Sequence, residues 1–260
     1  MILSNFTVNH FEKIESYIPF QTISFSDGLI IFTIAFLVIL FRYLSLVYLS
    51  FLIFWIKKIK NDFKVHDFKI KDNQISHEIK WSLVSTFIFS FFALIMAFLW
   101  KNNLTQIYLK FDQYSIWYLP VSFLIYSLMH EFYFYFTHLW MHRPGIYARV
   151  HAVHHYSRKV SPWASFSFHP YETVIQALFL PLMICIVPIH PVVAVTYLTF
   201  MTLTAISNHL GVEIMPKKYF EKWFISGAHH SIHHEKFTSN YGLYYTFLDK
   251  FFKTEYLPKN

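Results

Sequence analysis

Cysteine is nearly absent from this chain: Cys185 is the only one among 260 residues. A single thiol forms no intrachain disulfide, and it excludes a cysteine-based zinc or iron–sulfur site. Charged residues are also scarce, at 14 % of the chain against roughly a quarter in ordinary soluble domains. Apolar residues reach 55 %, with 31 Phe, 18 Tyr and 7 Trp. The composition excludes disorder, collagen and coiled coil, and it argues against a soluble globular protein.

The first 28 residues lack a basic start, an apolar stretch and a small-residue cleavage site in that order, so we expect no cleavable signal peptide. Four apolar stretches follow, at residues 29–56, 81–100, 114–129 and 173–208. The first is longer than a bilayer requires and should tilt or protrude, and it carries Arg42 near its middle. The sequence therefore predicts an all-α polytopic membrane protein with about four transmembrane segments and a cytoplasmic histidine-rich helical cap.

The fourth stretch contains three prolines, and Pro188-Ile-His-Pro191 is typical of a hairpin tip, because proline does not continue a helix. The two arms are about 15 and 17 residues long, which is short for two full spans. A hairpin also returns the chain to the same side, so histidines on both flanks of the stretch can meet.

Positive charge predicts the orientation. Residues 57–80 carry seven lysines, whereas residues 101–115 carry only Lys101 and Lys110. By the positive-inside rule the first loop, the histidine-rich region and the C-terminus lie on the cytoplasmic face, and the N-terminus lies outside. The net charge of +7 is placed in short loops between apolar runs, which favours a bilayer and no nucleic acid as partner.

Histidine is abundant, and 13 of the 16 histidines fall within residues 130–234. Three groups have short regular spacing: His138 and His142; His151, His154 and His155; and His230, His233 and His234. Residues i, i+3 and i+4 of an α-helix share a face, so each HxxHH set is expected to aim three imidazoles in one direction. Imidazole binds iron, zinc, copper and nickel, so the spacing predicts a metal site without choosing the metal.

Five further residues are candidates around this site. Glu131 falls at nearly the angle of His138 two turns earlier, which predicts a carboxylate that accepts a ligand's other ring N–H. His209 follows the hairpin at the predicted level of the metal, which makes it a candidate ligand. His130, His169 and His229 are candidates for the surrounding shell or the substrate pocket. The remaining histidines, His10, His66, His77 and His190, are interpreted as structural.

The three histidine groups resemble the histidine boxes of the membrane fatty acid hydroxylase/sterol desaturase superfamily. The segments Ser165-Phe-Ser-Phe-His169-Pro170 and Asn240-Tyr-Gly242, followed by Leu248-Asp249, resemble its sterol C5-desaturase branch. The resemblance covers roughly residues 125–255, which we expect to form the histidine-box domain after an N-terminal segment and membrane helices at 1–124.

This resemblance implies a non-haem di-iron centre with two Fe and with O2 as co-substrate. It implies hydroxylation or desaturation of a sterol or fatty-acyl lipid in lipid biosynthesis. Electrons would come from an external donor such as a cytochrome b5-like protein, a ferredoxin or a reductase. By this resemblance the metal ligands are His138, His142, His151, His154, His155, His209, His230, His233 and His234.

Attack on an unactivated C–H bond needs a redox metal, and zinc has no redox chemistry, which also favours iron. Three alternatives remain at this stage. A divalent-metal transporter would place polar residues along a pathway through the spans. A membrane haem protein would need axial histidines within the spans. A non-catalytic lipid-binding scaffold would keep the fold without needing the histidines.

Overall fold

The computed structural model describes residues 23–56, 65, 69–214, 220 and 222–256. Within these ranges the chain is helical, and β-pairing is limited to two isolated bridges, Ile107 with Ile189 and Phe224 with Tyr245. The α-helices are α1 (Phe25–Phe51), α2 (Gln74–Lys101), α3 (Tyr118–Met141), α4 (Tyr147–Val150), α5 (Pro170–Ile186), α6 (Pro191–Asn208), α7 (Gly227–Lys236) and α8 (Phe247–Phe251). The predicted all-α fold is confirmed.

Shorter helical turns complete this set. A π-helical turn, Leu52–Ile56, extends α1, and two 3-10 helices, His154–Tyr156 and Pro162–Phe166, lie between α4 and α5. Among the described residues, three helical segments are long and apolar enough to cross a membrane: Phe25–Ile56, Gln74–Lys101 and Pro191–Asn208. Helix α5 is a shorter apolar helix. The protein is therefore a multi-helix membrane protein, while the number of four spans and the cytoplasmic side of the cap stay predictions.

Helix α1 begins with a reciprocal cap, because the Ser24 side chain accepts from the Asp27 backbone while the Asp27 carboxylate accepts from the Ser24 backbone. Its far end extends over the histidine-bearing part of the chain. The Tyr43 hydroxyl donates to the carbonyl of Trp163 at 2.8 Å, and Trp55 Nε1 donates to the carbonyl of Leu210 at 2.9 Å. The C-terminal half of this long helical segment thus packs against the histidine-rich region.

Helix α2 presents a line of small polar side chains to the interior: Ser82, Ser85, Thr86 and Ser90, all fully buried. Small side chains let helices approach closely in a membrane protein. Ser85 Oγ lies 3.0 Å from Thr173 Oγ1 on α5, so a hydrogen bond joins the two helices. Helix α2 therefore packs on both α1 and α5.

Helices α5 and α6 form the predicted hairpin, with its tip between Ile186 and Pro191. Each begins with a His-Pro pair in which the histidine caps the helix. Nδ1 of His169 accepts from the Tyr171 backbone, and Nδ1 of His190 accepts from the Val192 backbone. Proline at the first helical position needs no hydrogen-bond partner for its nitrogen. Helix α3 packs on both arms, and α6 also packs on α7.

Candidate metal centre

Nine histidine side chains converge in two adjoining groups, each with its ligand atoms within 4.8 Å of one another. The five-histidine group contains His138, His142, His151, His155 and His233. The four-histidine group contains His154, His209, His230 and His234. The rings of His155 and His234, one from each group, have centroids 4.5 Å apart. The structure brings together all nine histidines that the sequence singled out as ligands.

The groups divide each HxxHH set, which corrects the expectation that three imidazoles of a set point the same way. His151 and His155 belong to the five-histidine group, but His154 belongs to the four-histidine group. In the third set, His230 and His234 belong to the four-histidine group, and His233 belongs to the five-histidine group. Residues four apart thus belong to the same group, and the residue at i+3 belongs to the neighbouring group.

The second set also departs from the expected α-helix. His151 follows the short helix α4, and His154 and His155 open a 3-10 helix. The tighter winding of a 3-10 helix changes the angle between successive side chains. This local geometry contributes to the separation of His154 from its two neighbours.

Ring nitrogens of the nine histidines face each other at hydrogen-bonding distance. In the five-histidine group, Nε2 of His151 lies 3.1 Å from Nε2 of both His138 and His155. In the four-histidine group, Nε2 of His230 lies 3.1 Å from Nε2 of both His209 and His234. A close contact between two Nε2 atoms is favourable only where one carries a proton or a cation lies between them.

The opposite ring nitrogens show where the protons are. Nδ1 lies at a backbone carbonyl oxygen in five of the nine: His138 at Tyr241, His154 at Ser167, His209 at Ala205, His233 at Ser239 and His234 at Ser157. A carbonyl only accepts, so these Nδ1 atoms carry the proton and their Nε2 atoms present lone pairs. Lone pairs that converge without protons are the donor set of a metal cation, and the residues therefore fit one in each group.

Burial keeps these imidazoles neutral. It lowers the pKa of His138 to about 4 and the pKa of His209 to about 4, because the charged form loses its hydration. Both side chains are therefore neutral at pH 7, which is the form that binds metal. His142 is the one partly exposed member of the nine.

Glu172 is a site residue that the sequence analysis missed. Its carboxyl Oε1 lies 2.8 Å from Nδ1 of His151, and both side chains are almost fully buried. This contact places a carboxylate behind a histidine of the five-histidine group, the arrangement that fixes the tautomer and ring orientation of metal ligands. One signal was available: Glu172 is the only acidic residue between Glu131 and Glu213.

Glu131 does not have the role expected from its helical angle. Its carboxylate accepts backbone N–H groups of Leu243, Tyr244 and Tyr245, the shortest at 2.7 Å, and these contacts do not include a histidine ring. The prediction that it accepts from a ligand ring was wrong, because the loop after α7 occupies the carboxylate. Glu131 instead anchors that loop to α3.

The same loop explains the Asn-Tyr-Gly and Leu-Asp motifs. The Asp249 carboxylate accepts the backbone N–H of Tyr241 and of Gly242, each at 2.8 Å. A Cβ at position 242 would lie 2.6 Å from the carbonyl oxygen of Tyr245 and 2.9 Å from Glu131 Oε1, so only glycine fits. The carbonyl of Tyr241 then meets Nδ1 of His138. Asp249 and Glu131 thus hold the loop that orients a histidine of the five-histidine group.

The other three candidates lie outside both histidine groups. Nδ1 of His130 lies 2.9 Å from the hydroxyls of both Tyr197 and Tyr244, and its ring stacks on Phe179. His169 is the helix cap described above. His229 is buried, with Nδ1 3.0 Å from the Ser226 hydroxyl and Nε2 3.8 Å from a Glu255 oxygen.

The remaining histidines were interpreted as structural. His190 caps α6, and His77 stacks on Tyr156 with ring centroids 4.1 Å apart. His10 and His66 lie outside the described residues.

The fold and site define a membrane protein built around clustered histidines. The family described as Fatty acid hydroxylase matches residues 123–254, half of the chain. The chain therefore belongs to the fatty acid hydroxylase family. The matched region contains all nine clustered histidines and Glu172.

Curated relatives agree with this family. The chain is 27 % identical over 193 residues to a Delta(7)-sterol 5(6)-desaturase of Gibberella zeae, a match that covers 74 % of this chain and 59 % of that protein. It is 29 % identical over 181 residues to the lathosterol oxidase of Homo sapiens, with 68 % and 60 % covered. A Delta(7)-sterol 5(6)-desaturase of Candida albicans is 28 % identical over 215 residues, with 80 % and 52 % covered.

These similarities confirm the predicted resemblance to the sterol desaturase branch. The chain spans about three fifths of the length of the first two of these relatives. No solved structure matches it.

Proposed function

We propose that this protein oxidises a membrane lipid, of sterol or fatty-acyl type, in an O2-dependent reaction at a di-iron centre. The observation that carries the proposal is the convergence of nine imidazoles in two adjoining groups, with Nδ1 protons turned outward to carbonyls in five of them. The family and the sterol-oxidising relatives support a lipid as the substrate.

Bound iron supplies the redox chemistry that O2 reduction and C–H oxidation require, which zinc lacks. In this proposal the histidines of the five-histidine group hold one iron and those of the four-histidine group hold the other. Eight of the nine side chains are buried, so the protein excludes water from the reacting atoms. The backbone carbonyls of Ser239 and Ser157 fix the ring orientations of His233 and His234 in advance, and Glu172 lies against His151.

The α5–α6 hairpin supports a lipid substrate by its placement. Glu172 lies in the first turn of α5, and His209 follows the last residue of α6, so the open end of the hairpin meets the histidines. The rest of both helices is apolar, and α6 is long enough to cross a membrane. A lipid that approaches between apolar helices would therefore reach the metal positions at the end of the hairpin.

The electron donor would be a separate protein that docks on the cytoplasmic side, as the lysine distribution predicts. His142, the partly exposed member of the five-histidine group, lies beside Arg143 and close to Arg149 in the chain. Positive side chains at this exposed edge suit an acidic partner.

A lipidomic comparison of membranes with and without the protein tests the substrate class. We expect a hydroxylated or desaturated sterol or acyl lipid to appear only with the active chain, and only with O2 and a reductase system present. Turnover by the purified protein without any added reductant would contradict the external donor. Membranes with unchanged lipids, together with metal uptake into vesicles, would favour a transporter instead.

A further inference from the structure

Glu78 is a fully buried carboxylate on α2, outside both histidine groups. Its Oε1 accepts from Gln74 Nε2 and from Ser157 Oγ, each at 2.7 Å, and its Oε2 accepts from Ser161 Oγ. Both serines belong to the segment between the second histidine set and the 3-10 helix Pro162–Phe166. One carboxylate thus fixes two points of that segment to a helix long and apolar enough to cross the membrane.

All three donors to Glu78 are neutral groups. Among the described residues no ion pair includes this carboxylate. Burial of a carboxylate without a cation costs several kcal/mol, which hydrogen bonds from neutral donors offset only in part. The three hydrogen bonds from Gln74, Ser157 and Ser161 are therefore the interactions that hold this carboxyl group in place.

Ser157 connects this carboxylate to the four-histidine group. Its hydroxyl donates to Glu78, and its carbonyl oxygen lies 3.0 Å from Nδ1 of His234. Ser157 is itself fully buried, and His155 precedes it by two residues. Glu78 therefore fixes the residue that sets the tautomer and direction of the His234 ring.

Each histidine group thus has a buried glutamate connected to one of its members. Glu172 contacts His151 of the five-histidine group directly. Glu78 reaches His234 of the four-histidine group through Ser157.

We propose that Glu78 is a positioning residue for the four-histidine group: it orients His234 through Ser157. The inference rests on the proposed metal binding. It assigns to α2 a part in the metal centre, although α2 contributes none of the nine clustered histidines.

Ser161 provides a matched control for this proposal. It is as fully buried as Ser157 and donates to the same carboxylate. Its carbonyl oxygen accepts from the backbone of Ala164 rather than from a histidine. A purely structural role for Glu78 predicts equal effects of Ser157→Ala and Ser161→Ala, whereas the proposed role predicts different ones.

The test is a titration of the full-length, detergent-solubilised apoprotein with Co²⁺, whose absorption spectrum reports the ligand set, followed by Fe²⁺ stoichiometry. We expect two binding steps for the unmodified chain. Glu78→Gln and Ser157→Ala should weaken one step by about 10- to 100-fold and leave the other unchanged. Ser161→Ala should leave both steps unchanged.

The outcomes separate this inference from the proposed function. An unmodified chain that binds no divalent metal would overturn the proposed function itself. A chain that binds two metals, with Ser157→Ala equal to the unmodified protein or to Ser161→Ala, would overturn the role of Glu78 alone. If Glu78→Gln fails to fold, the two serine variants decide the question, because both keep the carboxylate.

Discussion

Glu172 Oε1 lies 2.8 Å from Nδ1 of His151, with both side chains buried at the start of α5 and the end of α4. This contact joins the apolar hairpin to the five-histidine group. A carboxylate behind a ligand histidine raises the basicity of that histidine and holds its ring. Loss of the carboxylate should therefore weaken metal binding more than it weakens the fold.

Glu172→Gln should therefore weaken metal binding by about 10- to 100-fold, as substitutions of such outer carboxylates do. The glutamine keeps the size of the side chain, so helix content should not change. Metal content after dialysis, measured beside circular dichroism, checks this expectation. Asp112→Asn, at an exposed position, is the control and should retain the metal. Equal metal affinity in both variants would contradict a role of Glu172 in metal binding.

His154→Ala and His190→Ala form a second matched pair, since both side chains are buried. His154 belongs to the four-histidine group, so its removal should abolish lipid oxidation and lower metal content. His190 caps α6, so its removal should cost about 1 kcal/mol of unfolding free energy and leave the metal content unchanged. Full lipid oxidation and metal content in His154→Ala would contradict a role of His154 in the metal centre.

Metal removal should destabilise the protein. Each site bound at 100-fold excess over its Kd adds about 2.7 kcal/mol to the free energy of unfolding. Chelation should therefore lower the midpoint of thermal unfolding in detergent, and Fe²⁺ should restore it. An unchanged midpoint, with metal loss verified by elemental analysis, would count against metal binding at the nine histidines.

Gly242→Ala should destabilise the loop that orients His138. The added Cβ would meet the carbonyl oxygen of Tyr245 at 2.6 Å, and overpacking of this kind costs about 1–3 kcal/mol. Gly28→Ala in α1 is the control, because its nearest neighbours lie at 3.8 Å and alanine favours a helix. Thermal unfolding of both variants measures the difference, and a Gly242→Ala protein as stable as the parent would contradict the geometry.

Helix spacing was sufficient to select eight of the nine clustered histidines, because residues three and four apart lie on one side of a helix. His209 was selected by its place after the hairpin. Helix spacing could not divide the nine between two groups. That division depends on the 3-10 winding at His154 and on how α7 approaches the second set, and neither is encoded in spacing alone. The hairpin tip was predictable for a simpler reason, since two prolines flank it.

The carboxylates were harder to predict. Glu131 shares a helix with His138, but its carboxylate accepts hydrogen bonds from a loop more than one hundred residues away in the sequence. Glu172 and Glu78 act on histidines that lie on other elements of the chain. The spacing of residues within one helix therefore does not predict these pairs. Long-range partners of this kind follow from packing, which a single sequence does not specify.

Both arms of the hairpin pack on α3, and α5 packs in addition on α2. Helix α5 carries the carboxylate behind one histidine group, and α6 ends beside a member of the other. In the proposed metal centre, the positions of Glu172 and His209 relative to each other follow the packing of these two helices. Because spanning helices tilt to match the bilayer, we expect metal affinity to differ between vesicles of short-chain and long-chain lipids.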